Sequence, residues 1–256
     1  RAQQQRLHYT PGLHRVNRLA LGVNAGFIIL HLFQTHIWYD GLAQDVSIWT
    51  SQGSVILMLV VILLMENRSR GLFWGKKVPF PKATIDFVRR YHGYIFAWAL
   101  VYTFWYHPMV ATSGHLIGFL YMFFLLLQGS LFFTRVHLLR WWRVLLEAFV
   151  TFHGALVAVM QGNGLWPMFF FGFAGVFVIS QMHGLRLPKW AKWGILGLYI
   201  GSVLLTYSQL GWGRINEIIR IPLIEYLLVF VLAGLISLGL WIAKRLRGIE
   251  AKGAAV

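Results

Sequence analysis

The chain has 256 residues, 58% of them hydrophobic and 12% charged, with a mean hydropathy of +0.63. A soluble globular domain carries about 25% charged residues, so an ordinary soluble enzyme is excluded. The net charge of +15 would suit nucleic acid in a soluble protein, but here it lies in short connections between apolar runs. These runs are close to the roughly 20 residues that a 30 Å hydrocarbon core demands of a spanning helix. The fold class expected is all-α, a multi-pass transmembrane helical bundle with the lipid bilayer as its main partner and no nucleic acid.

Eight spans are expected, at 19–39, 46–65, 91–110, 115–133, 141–161, 165–182, 193–210 and 221–243. A polar arm (1–18) precedes them and a basic tail (244–256) follows, both expected to be cytoplasmic. Ser51, Gln52, Gly53 and Ser54 interrupt the start of the second span. The polar, basic start leading into a run long enough to span reads as lacking a cleavable leader. Helix breakers fall in the connections, among them Pro79, Pro81, Pro108, Gly114 and Pro188.

Charge sets the orientation. The arm, the tail and the connections after the second, fourth and sixth spans, with Arg143 at the start of the fifth span, hold 21 of the 23 Lys and Arg residues; Arg214 and Arg220 are the other two. By the positive-inside tendency both termini face the cytoplasm, as in a bacterial inner membrane protein. Tryptophans cluster near the expected span ends, Trp38, Trp49, Trp105, Trp166 and Trp212 outside and Trp74, Trp141, Trp142, Trp190, Trp193 and Trp241 inside. That is an interfacial belt.

The chain has no cysteine, which excludes disulfides, iron–sulfur clusters and thiolate catalysis. No GxGxxG or Walker A loop is present, so no nucleotide site is expected. The ten histidines are the unusual feature, because ionisable groups in a membrane domain are costly and mark function. His14, His92, His137 and His183 fall at cytoplasmic depth; His31, His36, His107, His115 and His153 lie deeper or outside, and His8 belongs to the arm. His92 and His107 lie about 22 Å apart along a helix, and His137 and His153 about 24 Å. Two parallel helices offering imidazole at two depths can hold one or two b-type haems. Helical phase complicates the second pair: sixteen residues turn His153 about 160° from His137. His107 with His153 therefore ranks first and His92 next, with His137 and His183 rivals for the fourth ligand. For His8, His14 and His36, near the ends, hydrogen bonding or reaching the interface is the simpler reading.

The segments RRYHGYIFAWALVYTFWYH (89–107) and RWWRVLLEAFVTFHG (140–154) resemble the third and fifth helices of the ferric-reductase-like transmembrane family, within a stretch of about 89–182. The resemblance implies a b-haem bundle passing electrons across the membrane. It also implies that His92 and His107 are the third-helix ligands and His153 the outer fifth-helix ligand. The chain departs from that family in its longer histidine spacings, in Leu145-Leu146-Glu147 at the usual inner fifth-helix position, and in its larger number of spans.

The leading expectation is thus a b-type cytochrome-like subunit carrying electrons between a quinol or reductase and an external acceptor, working with partner subunits. One alternative is a divalent transition-metal site of His36, Asp40, His107 and His115, implying a metal-dependent oxygenase or metal-handling protein. Another is a non-catalytic pigment- or lipid-binding subunit. Glu147 and Glu225 are read either as proton-handling groups beside a quinone or haem, or as interfacial carboxylates paired with Arg143 and Arg220. The second reading is preferred. Gln128, Gln161 and Asn163 are expected to hydrogen-bond helices or loops.

Overall fold

A computed structural model describes residues 7–37, 47–106 and 113–253. Among the described residues there are eight α-helices and no β-strand: α1 (Arg15–Ile37), α2 (Ile48–Arg70), α3 (Lys82–Tyr106), α4 (Ser113–Ser130), α5 (Arg140–Met160), α6 (Trp166–Ile179), α7 (Lys189–Leu210) and α8 (Glu217–Gly253). They follow the eight apolar runs in order. Five segments are long and apolar enough to cross a membrane: Arg15–Phe33, Gln52–Arg70, Arg140–Met160, Lys189–Leu210 and Trp212–Arg247.

Several boundaries differ from the hydropathy reading. The polar stretch at 51–54 lies inside α2, with Ser54 buried. An apolar run is therefore not a prerequisite for helix where neighbouring helices receive the polar groups. α3 begins nine residues before its apolar run, with polar and basic turns. α6 stops at Ile179 and gives way to the 3-10 turn Gln181–Leu185. α8 continues well past the apolar run to Gly253.

The core has three centres, the smallest made by Phe171 of α6 with Val203 and Tyr207 of α7. Val60, Val61 and Leu64 of α2 pack with Val88 of α3, Val176 of α6 and Val229 of α8. Met58 of α2, Ala99 and Leu100 of α3, and Met122 of α4 form the second. α1 and α7 are peripheral. They expose large apolar side chains such as Phe27, Leu30, Leu198 and Leu205, as lipid-facing helices do.

Close approach of α6 and α8 depends on glycine. A Cβ at Gly172 would lie 2.8 Å from Ile221 Cβ, closer than packed carbons tolerate. Gly71, at φ 77, turns the chain out of α2, and a Cβ there would meet the Gly75 backbone at 2.5 Å. Gly172→Ala is expected to force α6 from α8 and cost about 1–3 kcal/mol. Gly194→Ala, where nothing lies within 4 Å, should be near neutral. Unfolding in detergent micelles measures both.

Candidate functional site

At the end of the bundle that holds the α4–α5 connection, two histidines from different elements lie close together. His92 of α3 donates from Nδ1 to the Arg89 carbonyl at 2.8 Å. His137, in the 3-10 turn Val136–Leu138, donates from Nδ1 to the Gln128 carbonyl at 3.0 Å. A carbonyl can only accept, so both rings carry their proton on Nδ1 and keep a lone pair on Nε2. Among the described residues no hydrogen bond reaches either Nε2. The ring centroids lie 6.5 Å apart with planes at 38°. One metal atom bonded to both nitrogens at about 2 Å would hold the centroids roughly 6 Å apart. A backbone bond at the far nitrogen is also the usual support of a metal-ligating imidazole.

Burial holds His137 below the ordinary histidine value. The Gln128 carbonyl pushes the other way, and the nearby His92 and Arg143 add to the lowering. The ring is therefore kept neutral, the form that binds a metal. Gln128 fixes the turn from three sides. Its amide donates to the His137 carbonyl at 3.2 Å, its side-chain oxygen accepts Trp142 Nε1 at 2.7 Å, and its backbone carbonyl holds the His137 ring.

The N-terminal arm braces the same connection. Thr10 exchanges backbone bonds with Phe133 and Arg135, and fully buried Asn17 donates to the carbonyls of Ser130 and Phe132 at 2.8 and 2.7 Å. Phe133 adopts φ 59, a strained value for a non-glycine residue. The arm holds it there. His14 has a structural place, its Nε2 within 3.1 Å of Thr10 Oγ1 and 3.0 Å of the His8 carbonyl.

Beside this pair, four charges join α2 to α5. Arg70 clasps both oxygens of Glu147, at 2.9 and 2.7 Å, with both side chains buried. Arg143 pairs with Glu66 at 2.5 Å. Glu147 thus pairs with Arg70 across the bundle and not with Arg143 of its own helix. The long Arg70 side chain reaches it from α2, while Arg143 is taken by Glu66. Glu225 does not pair with Arg220 either, which donates to Asn216 at 2.6 Å. Arg70 Nη2 and Arg143 Nε are buried with no hydrogen-bond partner among the described residues.

Between α2, α3, α4 and α5 runs an apolar cavity of about 80 Å³, lined among others by Met58, Phe96, Tyr121, Leu125, Val150 and His153. Phe96 also meets the His92 ring edge-on at 5.8 Å, so the cavity reaches toward the inner pair. α2 and α3 do not pack closely against α5; the cavity is the seam between them. A run of rings leads from Trp142 through Phe124 and Phe149 to Tyr121 and His153, which line the cavity, with centroid separations of 5.8, 5.9, 5.4 and 6.3 Å. The phase objection to His137 with His153 does not apply, because His137 precedes α5 and helical phase does not carry through a 3-10 turn.

His183 lies elsewhere. It meets the edge of Trp74 at 6.2 Å and approaches Gly75 rather than His92. Burial and the Lys192 charge hold it below the ordinary histidine value. His31 is buried in α1. His107 and Asp40 lie outside the described residues, as do the side chains of His36 and His115, so the outer metal set and the His107–His153 pairing lie there too. Among the described residues no group of three or more His, Asp or Glu side chains gathers to hold a metal ion.

Arg70, Glu66 and Trp142 are the contributors that the sequence reading missed; it counted Arg70 as loop charge and Trp142 as belt, and gave Glu66 no part. A signal was present. Glu66 and Arg70 stand four apart at the end of α2, and Arg143 and Glu147 four apart near the start of α5, in opposite order. No family model, curated protein or solved structure matches the chain.

Two outcomes follow from this geometry. Arg70→Met strands a buried carboxylate and should cost about 3–5 kcal/mol in chemical unfolding, whereas Arg70→Met with Glu147→Leu should recover most of it. Because the folded His137 binds its proton less readily than the unfolded chain, the unfolded state takes up more protons below the ordinary value of 6.5. The stability linked to His137 is thus full above that pH and lost as pH falls through it. His137→Gln should lessen that acid-side fall in a thermal unfolding series.

Proposed function

We propose that the chain is a membrane b-type cytochrome subunit that carries electrons across the bilayer. The observation that carries this reading is the adjacent His92–His137 pair, with Nδ1 of each tied to a backbone carbonyl and Nε2 left to bind iron. Two neutral imidazoles on one iron are a donor set suited to a low-spin haem. The two buried arginine donors, Arg70 Nη2 and Arg143 Nε, suit the carboxylates that a b-type haem carries. A haem bound here supplies one-electron transfer.

The chain's residues supply the rest. His92 and His137 would hold the inner haem iron, Gln128 and the Arg89 carbonyl orient them, and the quartet of charges holds α2 and α5 around them. His153, on the seam with Tyr121, and His107 are the outer ligands. At about 80 Å³ the seam is smaller than the 300 Å³ or more typical of ligand sites, so a haem there would require its lining side chains to move. A quinol is the lipid-phase donor. Supporting it is an apolar groove of about 450 Å³ between α6, α7 and α8, lined by Gly175, Tyr199, Ile200 and Pro222.

In this reading all eight helices cross the cytoplasmic membrane of a bacterial cell, both termini face the cytoplasm, and a partner subunit takes the electrons outside. Reporters fused after Lys252 and within 71–82 should read cytoplasmic, and one within 40–47 external. A cytoplasmic reading at 40–47 would contradict the eight-span topology. The purified protein should give a sharp reduced-minus-oxidised α-band. His153→Ala should remove one haem population or turn it high-spin while the protein still inserts, and His36→Ala should leave the spectrum unchanged. A featureless spectrum, or loss of bound metal in His36→Ala alone, would favour the outer metal site.

A further inference from the structure

Glu225 is a carboxylate in the third turn of α8 with 3% of its surface exposed. Among the described residues no hydrogen bond or ion pair reaches it. Four residues on along the same face, Val229 is fully buried against Val60 and Val61 of α2, Val88 of α3 and Val176 of α6. Those elements thus present apolar side chains to this part of the core. On its own helix, Tyr226 is engaged through its hydroxyl with Ser180 Oγ at 2.7 Å. From α5 the charged group on this side is Glu147, which Arg70 of α2 holds in an ion pair. An ionised carboxylate at Glu225 would be desolvated, with no ion pair of its own to offset the cost. Such a group neutralises by binding a proton.

The same helix offers a way out. Glu217, buried at the opposite end of α8 from the tail, lies eight residues earlier, about 12 Å along the axis. Its carboxylate accepts Arg214 Nε at 3.0 Å and the Tyr207 hydroxyl at 3.3 Å. Between the two glutamates stands Pro222, inside the helix. Proline has no N–H, so the Ile218 carbonyl one turn earlier loses its helical donor. A carbonyl so freed can accept from water in the stretch that separates the two carboxyls.

We propose that Glu225 is a proton-binding site within the membrane domain, which holds a proton at neutral pH and exchanges it with the outer surface by way of Glu217. The proposal rests on α8 crossing the membrane and on no particular cofactor at the histidines. A carboxyl that gains and releases a proton there can offset charge that arrives in the low-dielectric bundle.

Infrared spectra of the full chain in liposomes test it without any cofactor. A protonated carboxyl shows a carbonyl band that shifts when H₂O is replaced by D₂O, whereas a carboxylate does not. The wild-type protein should show such a band at neutral pH, and Glu225→Gln should lose it. A wild-type spectrum with no acid band removed by Glu225→Gln would overturn the proposal. Should that variant fail to insert, Glu225→Asp must move the band, and an unmoved band overturns it equally. Glu217→Gln should slow the H/D exchange of the band by roughly a hundredfold, the scale of removing one positioned proton-transfer group. An unchanged exchange rate would overturn the route through Glu217.

Discussion

The ion pair between Arg70 and Glu147 is the constraint on which the bundle's interior depends. α2 and α5 do not pack closely against each other, yet both line the central seam. What joins them at one end is charge: Arg70 on Glu147, and Arg143 on Glu66. A buried pair of this kind adds little net stability over an apolar contact, but losing one partner is costly. Its effect is to fix where α5 begins relative to α2. The 3-10 turn that carries His137 immediately precedes α5, so the pair sets the turn's position as well.

From that anchor the inner site follows in short steps. The arm binds the 130–135 segment through Asn17 and Thr10, and Gln128 fixes the His137 ring and backbone. His92 is held by its own helix through the Arg89 carbonyl. Each imidazole is thus oriented by a backbone acceptor, which is the support that a metal-binding histidine needs. The carboxylates divide the work. Glu147 and Glu66 are bound to arginines and serve the architecture, whereas among the described residues no ion pair reaches Glu225.

The helical architecture was legible because apolar runs near 20 residues favour helices that can cross a bilayer. Eight apolar runs gave eight helices in order, and among the described residues five segments are long and apolar enough to cross a membrane. Helix ends were less legible. The residues from Lys82 to Arg90 are helical although polar, because backbone hydrogen bonding continues outside the apolar layer. Side-chain partners were the least legible. Glu147 has Arg143 four residues away on its own helix, and proximity in sequence suggested that pair; the partner came instead from 77 residues earlier. His137 seemed out of phase only under the assumption of one continuous helix from 137 to 153. Trp142 read as a membrane anchor, but its ring nitrogen binds Gln128 inside the site.

The central claim is that His92 and His137, and not His183, form the inner pair. Electron paramagnetic resonance of the oxidised protein reads axial ligation directly, before any question of donor or acceptor. The account predicts that His92→Ala and His137→Ala each abolish or convert to high spin the same low-spin signal, while His183→Ala leaves every signal in place. Loss of a low-spin signal in His183→Ala, with His137→Ala unchanged, would contradict it.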